Sequence, residues 1–451
     1  MKKTFLSSMI YIGLSMGLSA PAFADDLYQV YQMAMEKDPT INRAEADKNA
    51  AFEGISISRA SLLPQISGSI SYDDRTSESP VGSEFVILSR DTETLGLDLD
   101  LNLSIYDHRN WVALSRAEKV AHQSDASFAL SKQELIVRTT QAYLAVLRVL
   151  DSLEFVQAEK RAIERQLEQT KQRFEVGLTA ITDVHEAQAN FDNTVAQEIR
   201  AESDVELRRE ELREITGKYH DNLSILNTEQ FSATRPEPEQ VADWLSIAED
   251  KSLDLLVRKF SKDIAKEDIK SAKAGHYPTL SLRANTSRDN AALTIGGLTD
   301  HFPVTDGRSI TLNLNVPIYE GGAVNARTAQ ARFNYVAASE NLELTHRSTV
   351  RSVRSSYNDV IASISEIRAL QQSVVSAESA LKATEAGFDV GTRTIVDVLD
   401  STRNLYNAKR NLASARYDFI TAVVALKRSA GSLKEQDIID INRGLMAEQN
   451  G

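Results

Sequence analysis

Leu95-Gly-Leu-Asp-Leu-Asp-Leu-Asn-Leu-Ser-Ile105 alternates apolar and polar residues at every step. Side chains of an extended strand point to opposite faces with a period of two, so this stretch carries one apolar and one polar face. The alternation returns in Ile310, Leu312, Leu314, Val316 and Ile318, interleaved with Thr311, Asn313, Asn315 and Pro317. Ile66, Ile70 and Tyr72, and later Leu280, Leu282 and Ala284, supply two shorter partners. One such strand would fit a half-buried sheet of a soluble domain. Four of them, each about 9–11 residues long in an exported chain, fit the wall of a transmembrane barrel, apolar outside and polar inside. Segments 75–92 and 287–307, rich in Ser, Thr, Asp, Gly and Asn, read as the loops joining each pair.

Export is read from the N-terminus. Lys2 and Lys3 precede an apolar run from Phe5 to Leu18, and Ala22-Phe23-Ala24 supplies a cleavage pattern. Residues 1–24 therefore form a signal peptide, with Asp25 opening the mature chain. The run is too short to span about 30 Å of hydrocarbon. No later segment approaches a spanning helix, so entry into a membrane has to be by strands. Four strands cannot close a barrel, since barrels begin near eight, and an open edge in lipid strands its backbone groups. Several chains must share one barrel.

Composition narrows the function. Among 451 residues there are 51 Lys+Arg against 64 Asp+Glu, a net charge of −13, which disfavours nucleic acid as a partner. With no cysteine, disulfides, thiolate metal sites and thiol nucleophiles are excluded. His185-Glu186 begins like a zinc-protease helix, but the second histidine position is Ala189. Gly321-Gly322 follows a strand and precedes a helix without the lysine of a phosphate loop, and reads as relief of crowding at that bend. No catalytic, cofactor-binding or metal-binding residue is nominated, and no cofactor is expected.

The remaining sequence is helical and duplicated. No proline lies between Pro80 and Pro236 or after Pro317, which leaves two long tracts free to be helices. Phe174-Glu-Val-Gly-Leu-Thr-Ala-Ile-Thr-Asp-Val184 matches Phe388-Asp-Val-Gly-Thr-Arg-Thr-Ile-Val-Asp-Val398 at an offset of 214. That spacing sets a first repeat at 25–217, a linker at 218–240, a second repeat at 241–431 and a polar C-terminal tail at 432–451. Each repeat reads helix, strand, loop, strand, very long helix, tight turn, long helix. The tract from Asn110 to Phe174 would run about 97 Å. Ala323 to Phe388 is its equivalent. Gly177 and Gly391 fit the left-handed residue that ends such a helix, and Gly217 and Gly431 close the return helices.

Val390-Gly-Thr-Arg-Thr-Ile-Val-Asp-Val-Leu-Asp400 and Leu405-Tyr-Asn-Ala-Lys409, set in this duplicated plan, resemble the TolC-type outer-membrane export channels over nearly the whole mature chain. The resemblance implies a mixed α and β homotrimer. Three chains would each give four strands to a 12-stranded transmembrane β-barrel in outer-membrane lipid. A long periplasmic α-helical barrel would continue it, tapering to a closed tip. It also implies a periplasmic adaptor and an inner-membrane pump of RND or ABC type. The cargo would be drugs, amphiphiles and secreted proteins. Asp397 and Asp400, at i and i+3 on one helix face, would ring the aperture. Thr182, Asp183, Gln166, Glu385, Phe388 and Arg393 would form the closed-state latch, with Arg393 reaching Thr182 and Gln166 meeting Glu385. The family's partner for Asp183 is a tyrosine. A phenyl ring at Phe388 cannot donate that bond, which leaves more of the closing to Arg393. Val176, Gly177, Leu178, Thr179, Val390, Gly391 and Thr392 would dock the adaptor. The competing reading is an exported coiled-coil scaffold without a channel. An enzyme ranks third.

Overall fold

The computed structural model describes residues 24–81 and 86–446, so the expected signal segment, apart from Ala24, lies outside it. The first repeat is built from α1 (Leu27–Lys37), α2 (Pro39–Ala60), β1 (Gln65–Val81), β2 (Val86–Tyr106), α3 (His108–Glu175) and α4 (Ile181–Thr216). A two-residue strand, β3 (Ile225–Leu226), follows. The second repeat gives α5 (Val241–Lys251), α6 (Leu253–Lys273), β4 (Thr279–Ile295), β5 (Leu298–His301), β6 (Thr305–Asn315), α7 (Ala323–Asp389) and α8 (Ile395–Ser429). The chain then adds α9 (Glu435–Asn442) and β7 (Leu445–Met446). At 68 and 67 residues, α3 and α7 are each about 100 Å long.

One sheet runs β1-β2-β4-β6, all antiparallel, with β5 folded back on the end of β4. Its register sorts the faces. Ile66, Leu101, Ala284 and Ile310 form one row, and Leu103, Leu282 and Leu312 another. The intervening rows are polar: Ser67, Asp100, Asn285 and Ser309, then Gln65, Asn102, Arg283 and Thr311. A register shift between Ser104 and Tyr106 makes Ile105 an extra residue, so that Tyr106 joins Leu280 on the apolar side.

Three expectations are corrected here. Residues 82–85 lie outside the described residues, but the rest of segment 75–92 and most of 287–307 are strand, their polar residues paired along the ladder. β1 and β2 stay in register out to Val81 and Val86, giving strands of 17 and 21 residues, not about 9–11. The β4–β5 hairpin turns on Gly296 and Gly297, both at positive φ, as a two-residue turn requires. β6 ends at Asn315, so Val316 and Ile318 are not strand, and Pro317 has no N–H to extend the ladder. Finally, Gly321 and Gly322 have φ of 63° and 82°, and a Cβ at either would meet nothing within 4 Å. Backbone conformation, not crowding, selects glycine there.

The main core lies where both repeats, the linker and the tail meet. Leu27, Tyr143, Leu147, Leu212, Trp244, Val353, Tyr417 and Leu426 share one cluster. Tyr143 donates from its hydroxyl to the Ser224 carbonyl at 2.7 Å, fastening the linker to α3. The tail is more than polar chain: α9 buries Ile438 in this core, and β7 pairs with β3 through Ile225 and Met446.

Candidate functional site

Two regions hold the candidate residues, the sheet and the opposite helical tip. On the sheet the apolar face is bare. Ile70, Ile310 and Leu312 are 77%, 80% and 62% exposed, members of a face rich in aliphatic side chains that water alone would not favour, with Arg288, Asp306 and Arg308 joining it toward the far end of the strands. The polar face is cross-linked instead. Asn285 Nδ2 donates to Asp100 Oδ1 at 3.1 Å, and Arg283 Nε donates to Asn102 Oδ1 at 2.9 Å. Exposed Tyr106, Trp111, Tyr277 and Tyr319 sit where strands give way to helices, the level at which membrane barrels carry an aromatic girdle. Among the described residues no helix is long and apolar enough to cross a membrane.

At the tip, α3 and α7 end in the same way. Gly177 N–H donates to Phe174 O and Leu178 N–H to Arg173 O, at 2.9 and 2.8 Å. Gly391 and Thr392 repeat the pattern onto Phe388 O and Gly387 O at 3.1 and 2.8 Å. These paired bonds are the Schellman motif, and the glycines at φ 79° and 78° are the left-handed residues it needs. Val176, Leu178 and Val390 project from the two turns, about 70% exposed, and Gly177, Gly391 and Thr392 are exposed with them. Apolar side chains held out on rigid turns suit a docking surface.

The return helices start differently. Thr394 caps α8, its hydroxyl accepting from Asp397 N–H, while the Asp397 carboxylate accepts from the Thr394 backbone N–H at 2.9 Å and its hydroxyl at 3.0 Å. Those bonds, the backbone one foremost, hold the Asp397 carboxyl below the usual aspartate range. In α4 the matching cap position is Ala180, without a side-chain bond, and Asp183 instead accepts from the Thr179 hydroxyl. Asp400 is exposed and pairs with Arg403 Nη1 at 3.1 Å.

The expected latch residues all lie at this tip. Within the chain they are not joined as the resemblance implies. Gln166 Oε1 is buried without a hydrogen-bond partner. Thr182 and Arg393 are exposed, and Arg393 lies across Gly387. Phe388 is buried in a small cluster with Ile163, Leu167, Ala187, Ile395, Val398 and Leu399.

Other contacts between the hairpins were not anticipated. Arg410 Nη1 pairs at 2.8 Å with Glu159, which is 2% exposed. Arg403 Nη2 donates to Asn190 Oδ1 at 2.5 Å. Arg173 covers the Phe388 ring. Glu159 and Arg410 are 251 residues apart and carry no motif, so nothing in one sequence signals them. Arg173 had a signal: it occupies the repeat position of Gly387, 214 residues on.

The chain matches the family described as "Outer membrane efflux protein" over residues 30–218 and 244–432, once per repeat. It is 45% identical to the outer membrane protein TolC of Vibrio cholerae, covering 97% of this chain and 98% of that protein. It is 29% identical to the alkaline protease secretion protein AprF of Pseudomonas aeruginosa, over 93% and 87% of the two chains. The Campylobacter jejuni CmeC outer membrane channel superposes with a TM-score of 0.74 at 16% identity, covering 98% of this chain and 97% of that one. The CusC structure superposes at 0.77 with 14% identity, covering 91% and 93%.

Proposed function

Since the chain belongs to the outer membrane efflux protein family, we propose that it is the outer-membrane duct of an export assembly, carrying drugs, amphiphiles or secreted polypeptides outward. The sheet lies in the outer membrane and the helices extend into the periplasm. The observation that carries this reading is the two-faced sheet, whose aliphatic side needs lipid and whose Asp, Asn, Ser and Arg side needs water. A coiled-coil scaffold would gain nothing from an exposed apolar sheet. Relatives are channels rather than enzymes, and cargo choice and energy would come from an inner-membrane pump, of RND or ABC type, coupled through a periplasmic adaptor. The relative named for protease secretion favours polypeptides among the cargo.

The free edges of β1 and β6 support a homotrimer in which β6 of one chain pairs with β1 of the next. Asp397 and Asp400 from three chains would converge at the tip as the aperture. Thr182, Asp183, Gln166, Glu385, Phe388 and Arg393 would work across the closed tip, and the exposed turns would receive the adaptor. The test is a deletion strain scored for drug sensitivity and protein secretion, with purified protein examined in planar bilayers. Wild-type secretion and drug tolerance in the deletion, together with no conductance, would remove the reading.

A further inference from the structure

The two helical hairpins of one chain, α3–α4 and α7–α8, meet again at their tips. The Arg173 guanidinium lies 4.4 Å from the centroid of the Phe388 ring. Arg173 ends the first hairpin's long helix and Phe388 ends the second's. Arg173 Nε is buried and has no hydrogen-bond acceptor. The nearest carboxylate, Asp389, is 3.8 Å from Nη1 and 65% exposed, so water screens the pair and it holds weakly. What the guanidinium faces is the ring.

We propose that Arg173, stacked on Phe388, is a positioning residue that clamps one hairpin to the other at the tip and so helps hold the duct shut. The inference deepens the reading of the tip as the closed end of a channel and rests on it. A cation over an aromatic face is attracted by the ring quadrupole, more strongly when water is excluded. Phe388 satisfies that condition, being 7% exposed and packed against residues of α3, α4 and α8. An arginine suits the site because its flat head stacks, which an ammonium does less well.

The duplication makes the clamp one-sided. Arg173's counterpart is Gly387, where a Cβ would come within 2.8 Å of Arg393 Cγ. Glycine weakens a helix interior, and here it leaves the surface on which the Arg393 stem lies. Each hairpin end is thus crossed by one arginine, Arg173 facing the chain's own second hairpin and Arg393 remaining exposed. Parting the hairpins at the tip has to pull Arg173 off Phe388, while Glu159–Arg410 still joins α3 to α8 further along.

Single-channel conductance of purified protein in planar bilayers, with assembly and melting temperature followed in parallel, tests this. Arg173→Gln should raise the open-to-closed ratio roughly 2- to 30-fold, leaving assembly and melting close to wild type. Arg173→Lys, which keeps the charge but loses the flat stacking head, should fall between wild type and Arg173→Gln. Phe388→Leu, which fills similar space without a π face, should match Arg173→Gln, and the double variant should add nothing further. Asp389→Asn should change little. Wild-type conductance in Arg173→Gln, while Arg393→Ser opens the channel, overturns the clamp alone. Full additivity of Arg173→Gln and Phe388→Leu overturns it equally. Absence of any channel from the wild-type protein would sink the clamp together with the functional reading beneath it.

Discussion

Asp397 combines a helix cap with a charge at the proposed aperture, and Asp400 carries charge without the cap. The two can be separated. Asp400→Ala removes a carboxylate paired only with exposed Arg403, so it should weaken block by a trivalent cation while leaving the tip folded. Asp397→Ala should weaken block and also loosen the start of α8, seen as faster hydrogen exchange there. Backbone and hydroxyl donors of Thr394 favour the charged form of Asp397 and work against the mutual repulsion of converging carboxylates, so cation preference should survive at pH 5. Equal block in wild type and the double variant would move the aperture elsewhere. A second carboxylate sets an acid limit on the fold. Burial alone would raise the pKa of Asp25, but Lys218 at 2.9 Å and His220 at 2.7 Å outweigh it and the net shift is downward. A depressed folded-state pKa means stabilisation that is complete above the unfolded value near 3.8 and is lost as pH falls through the folded value. Melting temperature should therefore stay level from neutral pH to about 4 and drop below it. In Asp25→Asn that acid-dependent part should be missing.

Elements were legible wherever one physical rule governed many residues. Period-two alternation exposed the strands, absence of proline exposed the long helices, and the repeat set their order. The glycines that end helices differ in what they tolerate, which gives a graded prediction. Gly177 needs only its left-handed φ, since a Cβ there would meet nothing within 4 Å, and Gly177→Ala should cost roughly 1–2 kcal/mol. A Cβ at Gly431 would also come within 2.4 Å of the Lys251 carbonyl oxygen, so Gly431→Ala should destabilise more and lower the yield of folded protein. Similar melting temperatures for the two would contradict this ordering. On the sheet, Leu99→Arg should cost about 2–4 kcal/mol if it lies near the bilayer midplane, whereas Asp100→Asn keeps an acceptor for Asn285 and should be silent in assembly yield. What composition concealed was the ribbon beyond the apolar rows. Ser, Thr and Asp look like loop there, but a ladder is held by backbone pairing, which does not require apolar side chains. Between the hairpins, Glu159–Arg410 and Arg173–Phe388 join residues more than two hundred positions apart; periodicity along one chain cannot register such pairs, although the repeat does set Arg173 apart from Gly387.

At the scale of the whole molecule, the sheet is incomplete. In an antiparallel edge strand alternate residues aim their N–H and C=O groups away from the neighbour. β1 has 17 residues, so about eight of them present unpaired groups to its free side. Those at membrane depth would each cost several kcal/mol in hydrocarbon, a total no single domain can carry. Closure by copies of the same chain removes both edges at once, since the free side of β6 can meet the free side of β1. Two copies would give eight strands, whose interior is barely wide enough for side chains. The inner face here carries Asp98, Asp100, Arg283 and Asp289, which need water rather than a packed interior. Three copies give twelve strands and room for it. With the trimer that the family resemblance implies, native mass spectrometry of the detergent-solubilised protein should report three mature chains, and no appreciable monomer should insert into bilayers. Heating should convert the species to single chains, because no cysteine is present to link them. Proline placed on the free side of β1 within the apolar rows should abolish the threefold mass, while the same substitution toward the Val81 end of that strand should be tolerated, since water can satisfy the lost partner there. A conducting monomer would show that the free edges are capped in some other way, and the trimeric barrel would have to be abandoned.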